Sequence, residues 1–167
     1  MLNSGVRLAL LGCGRVAQHY KKIITGLHPV QDLEVVAVCD IDYGRAAEIA
    51  QGFGAEAFSD KDAMVESTNP HIVAVLTPSG YHYEHSKWAL NIGKHVLCEK
   101  PICMIPDQAY ELTALAKERG LMYGVAFQNR FNPSIEILAD AVKRHRFGKI
   151  ISATIRLRWC RYQDYYG

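Results

Sequence analysis

Two glycines, Gly12 and Gly14, stand between an apolar run and a segment of helical spacing, and that placement restricts the chain more than any other feature. The run is Val6-Arg-Leu-Ala-Leu-Leu11, and the loop that follows, Leu11-Gly12-Cys13-Gly14-Arg15-Val16-Ala17, matches G-x-G-x-x-G/A. Between a strand and a helix each small residue has a task. Gly12 allows the tight turn out of the strand, Gly14 lets main chain approach a phosphate with no Cβ in the way, and Ala17 keeps the helix close to the sheet. The dipole and unpaired N–H groups of a helix start attract a diphosphate.

The rest of the chain repeats this strand-then-helix order. Leu33–Asp40, Ile72–Leu76, His95–Cys98 and Leu121–Ala126 are further apolar runs rich in β-branched residues, with a minor strand expected near Ala55–Phe58. Continuous apolar runs suit parallel strands covered on both faces. Val16–Leu27, Tyr43–Gly52, Tyr81–Ile92 and Asp107–Arg119 carry helical spacing, with Gly93 and Gly120 placed to end two of them and Pro106-Asp107 to start one. The alternation predicts an α/β domain with a doubly wound parallel sheet, the Rossmann arrangement, over residues 1–126.

From about Gln128 the pattern changes. Asn132-Pro133 opens a helix expected to run to about His145. Then Ile151, Ala153, Ile155, Leu157 and Trp159 alternate with Ser152, Thr154, Arg156 and Arg158, the period of a strand with one buried face. Such a strand needs partners, so residues 127–167 are expected to begin a truncated α+β second domain, with a homo-oligomer expected of the full-length protein.

Asp40 closes the second apolar run, where an acid accepts hydrogen bonds from the adenine-ribose hydroxyls and repels a 2′-phosphate. NAD is therefore favoured over NADP. Asp42 is the alternative acid, and Arg45 is the residue that would argue for NADP.

Net charge is +2, without the basic excess that nucleic acid demands, and no stretch is long and apolar enough for a transmembrane helix. Cys13, Cys39, Cys98, Cys103 and Cys160 are odd in number with no C-x-x-C, which fits a reduced, cytoplasmic setting. His82 and His85 lie three apart on a predicted helix, but no third ligand accompanies them, and no metal is expected.

Two later segments, Thr77-Pro78-Ser79-Gly80-Tyr81-His82 and Cys98-Glu99-Lys100-Pro101, each follow a strand end, where open α/β sheets place ligands. With the glycine loop they resemble the Gfo/Idh/MocA oxidoreductases, a family marked by T-P-x-x-x-H and then E-K-P. The likeness covers essentially the whole chain. Phe127-Gln-Asn-Arg-Phe-Asn-Pro133 and Arg156–Arg161 are similar to a narrower branch, the 3-dehydrogenases of UDP-N-acetylglucosamine and of its uronic acid, used in bacterial surface-polysaccharide synthesis.

The resemblance implies an oxidoreductase moving a hydride between a sugar or nucleotide-sugar hydroxyl carbon and the nicotinamide of NAD. It implies Lys100 as the catalytic lysine, either base for the reacting hydroxyl or a fixed charge stabilising the developing alkoxide. Gly12, Cys13, Gly14, Arg15, Val16, Ala17 and Asp40 would hold the cofactor's diphosphate and adenosine. Thr77, Pro78 and His82 would line its pyrophosphate and nicotinamide side, and Glu99, Lys100 and Asn129 would lie near the nicotinamide and its ribose. Arg130 would meet an anionic substrate group or stand in solvent. The family's downstream Asp and His have no counterpart in this sequence, so the chain is expected to bind NAD(H) and turn over weakly or not at all. A non-catalytic NAD-binding regulator has no use for Lys100, and an S-adenosylmethionine methyltransferase none for T-P or E-K-P.

Overall fold

A computed structural model describes residues 5–26 and 32–163. The chain divides into two compact units, Met1–Phe127 and Gln128–Gly167.

The first unit is a six-stranded sheet with helices on both faces. The strands are β1 (Val6–Leu11), β2 (Leu33–Cys39), β3 (Glu56–Phe58), β4 (Ile72–Val75), β5 (His95–Glu99) and β6 (Tyr123–Ala126). Their order is β3-β2-β1-β4-β5-β6, and every neighbouring pair is parallel. The helices of this unit are α1 (Arg15–Gly26), α2 (Tyr43–Gln51), α3 (Lys61–Thr68), α4 (His82–Asn91) and α5 (Pro106–Glu118). The expected end of α1, Leu27, lies outside the described residues.

Alternate residues of β1 serve opposite faces, as the period of a strand requires. Leu8 and Leu10 pack with Ala17 of α1 and with Ala46, Ile49 and Ala50 of α2. Ala9 and Leu11 join Met64 of α3, Ala89 and Leu90 of α4, and Leu112 and Ala116 of α5. Both sets are buried, which is why β1, β2 and β4 read as unbroken apolar runs rather than alternating ones.

Helix α3, Lys61–Thr68, is not among the helices expected from spacing. Its apolar face is short, with Met64 and Thr68 buried, so periodicity alone carries little signal. What starts it is Asp60, whose carboxylate accepts from the N–H groups of Asp62 and Ala63.

In the second unit, α6 (Pro133–Lys143) begins where Asn132-Pro133 predicted, with the Asn132 side chain accepting from Ser134 N–H. The strand expected at Ile151–Trp159 does not form. Residues 150–162 have no regular secondary structure, and Ile151 is 92% exposed. The correction has a simple cause. A strand with one apolar face is stable only beside another strand, and among the described residues of this unit there is none.

Candidate functional site

The strand order reverses between β1, which continues outward through β2, and β4, which continues through β5. At such a switch point the loops leaving the carboxyl ends of the strands separate and leave a crevice. Here it is a cleft of about 700 Å³ walled by the loops after β1, β2, β4 and β5 and by residues of α2 and α3.

Gly12 and Gly14 do different work in it. Gly12 has φ +100, and a Cβ there would lie 2.8 Å from the carbonyl carbon of Leu76 and 2.8 Å from Thr77 N. The loop after β1 therefore touches the main chain at the end of β4, and only a glycine permits the contact. A Cβ built on Gly14 meets no described atom within 4 Å, and Gly14 is part of the cleft wall. The protein itself makes no demand for glycine there. The free space suits a ligand lying against the backbone at the start of α1, where the helix dipole favours an anion. Arg15 and Val16 join the same wall.

Cys13 and Ala17 lie beneath the loop, with Ala17 packing α1 against the sheet as the motif leads one to expect. Both side chains are buried under the loop and neither lines the cleft. Cys13 acts through its main chain, donating its N–H to Asp40 Oδ2 at 2.7 Å. Burial, then the Asp40 charge, pushes its thiol up to about 12, so it stays an inert hydrophobe. Cys39 and Cys98 are each pushed up to about 11, again chiefly by burial.

Asp40 is in the wall, half-buried, with Oδ1 accepting from Asp42 N–H at 2.9 Å. Two main-chain donors thus fix the carboxylate, and its remaining lone pairs can accept hydroxyls. Asp42, the alternative acid, caps α2 by accepting from Gly44 N–H and Arg45 N–H and pairs with Arg45 at 3.3 Å. Arg45 and Lys61 line the cleft on this side, as does Ile41, which is 98% exposed. Ile41 and Lys61 were not anticipated, because nothing in local sequence marks a residue that a neighbouring loop will face.

The T-P and E-K-P segments form the opposite wall. Thr77, Pro78, His82, Glu99 and Lys100 all line it, with Lys100 solvent-exposed. Thr77 Oγ1 lies 3.0 Å from His85 Nδ1, and the His85 ring stacks on Tyr81. Burial, followed by the Lys61 charge, holds His85 below its ordinary value. His82 is 1% exposed, with Nδ1 2.6 Å from Pro101 O and Nε2 2.7 Å from Thr77 O. Glu99 accepts from Tyr20 Oη of α1 at 3.2 Å and from Lys100 N–H at 3.2 Å. Burial and the Glu99 carboxylate keep the Tyr20 hydroxyl protonated, so it remains a donor. Tyr20 was missed because its partner is 79 residues away in sequence. Asn129 and Arg130 stand in the turn Gln128–Phe131 that opens the second unit.

A model of the oxidoreductase family with the NAD-binding Rossmann fold, GFO_IDH_MocA, matches residues 6–127. The chain belongs to the Gfo/Idh/MocA oxidoreductase family. Among its curated relatives is the D-glucoside 3-dehydrogenase of Escherichia coli, 37% identical across 96% of this chain and 46% of the relative. The WlbA dehydrogenase of Bordetella pertussis, solved with NADH and UDP-GlcNAcA, superposes with a TM-score of 0.89 at 28% identity, over 97% of this chain and 50% of its own. Its counterpart from Chromobacterium violaceum, solved with the same ligands, gives 0.82 at 30% identity, over 89% and 42%. The chain thus spans about half the length of the relatives it matches.

Proposed function

We propose that the chain is the cofactor-binding part of an NAD-dependent dehydrogenase acting on a hydroxyl carbon of a sugar or nucleotide sugar, at C3 of the hexose ring. One observation carries the reading: Gly14, Asp40, Thr77 and Lys100 leave four different strand ends and meet in a single cleft. Gly14 leaves room against the main chain for a diphosphate, and Asp40 is held with acceptor capacity to spare for the adenosine ribose. NAD, when bound, supplies the hydride acceptor.

Lys100 stands exposed on the cleft wall beside Glu99. It would take the proton from the reacting hydroxyl, or remain charged and stabilise the alkoxide. An NAD-binding regulator would need neither role. The named relatives support the substrate class. One is a glucoside 3-dehydrogenase, and the two WlbA structures hold a nucleotide-linked sugar acid. Residues 128–167 would open the substrate domain, with Asn129 near the nicotinamide ribose and Arg130 toward an anionic substrate group.

The chain alone is expected to bind NADH, seen by fluorescence titration, with little or no turnover. In the full-length protein Lys100→Met should retain NADH affinity and lower turnover by about a hundred- to ten-thousand-fold. Assays with a simple D-glucoside and with UDP-N-acetylglucosaminuronate separate the two substrate kinds. An unchanged rate in Lys100→Met would overturn the proposed role.

A further inference from the structure

In β5 successive side chains serve opposite faces of the sheet. Val96 and Cys98 join Met64, Ala89 and Leu112 in the core of one face. The strand period therefore turns Glu99, the last residue of β5, to the other face, where α1 packs. There it meets Tyr20, in the second turn of α1, whose hydroxyl donates to Glu99 Oε1 at 3.2 Å. Oε2 accepts the N–H of Lys100, also at 3.2 Å.

The two anchors differ in kind. The Lys100 N–H is the next link of the same loop and moves with it. The terminal torsion of a glutamate is soft, so that contact alone lets the carboxylate turn. Tyr20 comes from 79 residues away, and its ring packs on the buried cluster that holds Leu8, Leu10 and Ala17. Glu99 lines the cleft and Tyr20 is not among the described residues that do, so the hydroxyl reaches the carboxylate from outside the cleft. We infer that Tyr20 is a positioning residue: seated on the core beside the cleft, it fixes the plane of the Glu99 carboxylate next to Lys100 and so orders the end of the cleft that receives the nicotinamide riboside. The inference rests on the reading of that cleft as the NAD site.

A carboxylate only accepts, and it offers about four lone-pair sites. The two contacts within the protein leave acceptors for the hydroxyls of a ribose. Burial, then the Glu99 charge, keeps the Tyr20 hydroxyl protonated, so its donor persists across the neutral range. The adenosine and diphosphate are assigned to Asp40 and Gly14, at other strand ends. Removing the Tyr20 hydroxyl should therefore be felt at one end of the ligand only.

The test uses the 167-residue chain and two ligands, NADH and ADP, the latter carrying the adenosine and diphosphate without the nicotinamide riboside. NADH affinity is read by fluorescence and ADP affinity by calorimetry. Tyr20→Phe should bind ADP as the wild type does and NADH about tenfold more weakly. Glu99→Ala should lose NADH affinity by a similar factor. Adding Tyr20→Phe to Glu99→Ala should cost nothing more, because the hydroxyl acts through the carboxylate. Unchanged NADH affinity in Tyr20→Phe would overturn the inference. So would an equal loss for ADP, the mark of a ring that merely supports α1, and so would losses that add in the double variant. A Tyr20→Phe chain that does not fold makes the hydroxyl a support of the fold and overturns the positioning role too. Wild-type NADH affinity in Glu99→Ala overturns it independently of Tyr20→Phe. A wild type that binds neither ligand is a distinct result: it sinks the reading of the cleft itself, and the inference falls with it.

Discussion

Gly12 and Gly14 sit two residues apart in one motif, yet they should fail differently when a methyl is added. At Gly12 the new Cβ meets main chain at 2.8 Å and the residue holds φ +100. Gly12→Ala should therefore lower stability, by on the order of 1–3 kcal/mol from backbone strain alone. At Gly14 the methyl meets no described atom. Gly14→Ala should melt like the wild type while its NADH affinity falls about tenfold or more. Equal melting temperatures for the two variants would contradict this division. His85 gives a pH dependence of definite sign. Its folded value is depressed, chiefly by burial, so the folded state prefers the neutral ring. The stability it contributes is present above the ordinary value of 6.5 and is lost as the pH falls below it. Thermal melts of His85→Gln should accordingly decline less steeply on acidification than those of the wild type.

β1, β2 and β4 were legible because they are covered on both faces and so read as uninterrupted apolar runs. Helices α1, α2, α4 and α5 were legible from spacing and from the turn residues around them. α3 was not, because a helix that buries little leaves little periodicity, and its start depends on one side chain. That gives Asp60 a measurable task. Asp60→Ala removes the acceptor for two N–H groups and should destabilise the protein by about 1 kcal/mol. Helical signal should be lost while the β1–β4 crevice persists. No change in a denaturant melt would mean the cap is dispensable. The segment at Ile151–Trp159 shows the converse. Its alternation is perfect, but a strand is a relation between two segments, and the period describes only one of them.

The cleft is built by residues that all lie before Phe127, inside one compact unit with its own two-sided core. A chain ending at Phe127 should therefore fold cooperatively and bind NADH with affinity close to that of the 167-residue chain. A large loss of affinity on that shortening would show that residues 128–167 contribute to holding the cofactor.

Local chemistry alone determines most of this: the order of strands and helices, the glycine loop, the acid at a strand end, and the T-P and E-K-P segments. These are readable because each depends on neighbours in the chain. What only folding settled are relations across long sequence separations. They include which carboxylate is gripped by Cys13, that Tyr20 reaches Glu99, that Cys13 and Ala17 support the loop from beneath, and that both nitrogens of His82 face carbonyls. The reason is physical. A strand or a turn is encoded by energies between adjacent residues, whereas a hydrogen bond between distant loops exists only after the sheet has brought their ends together.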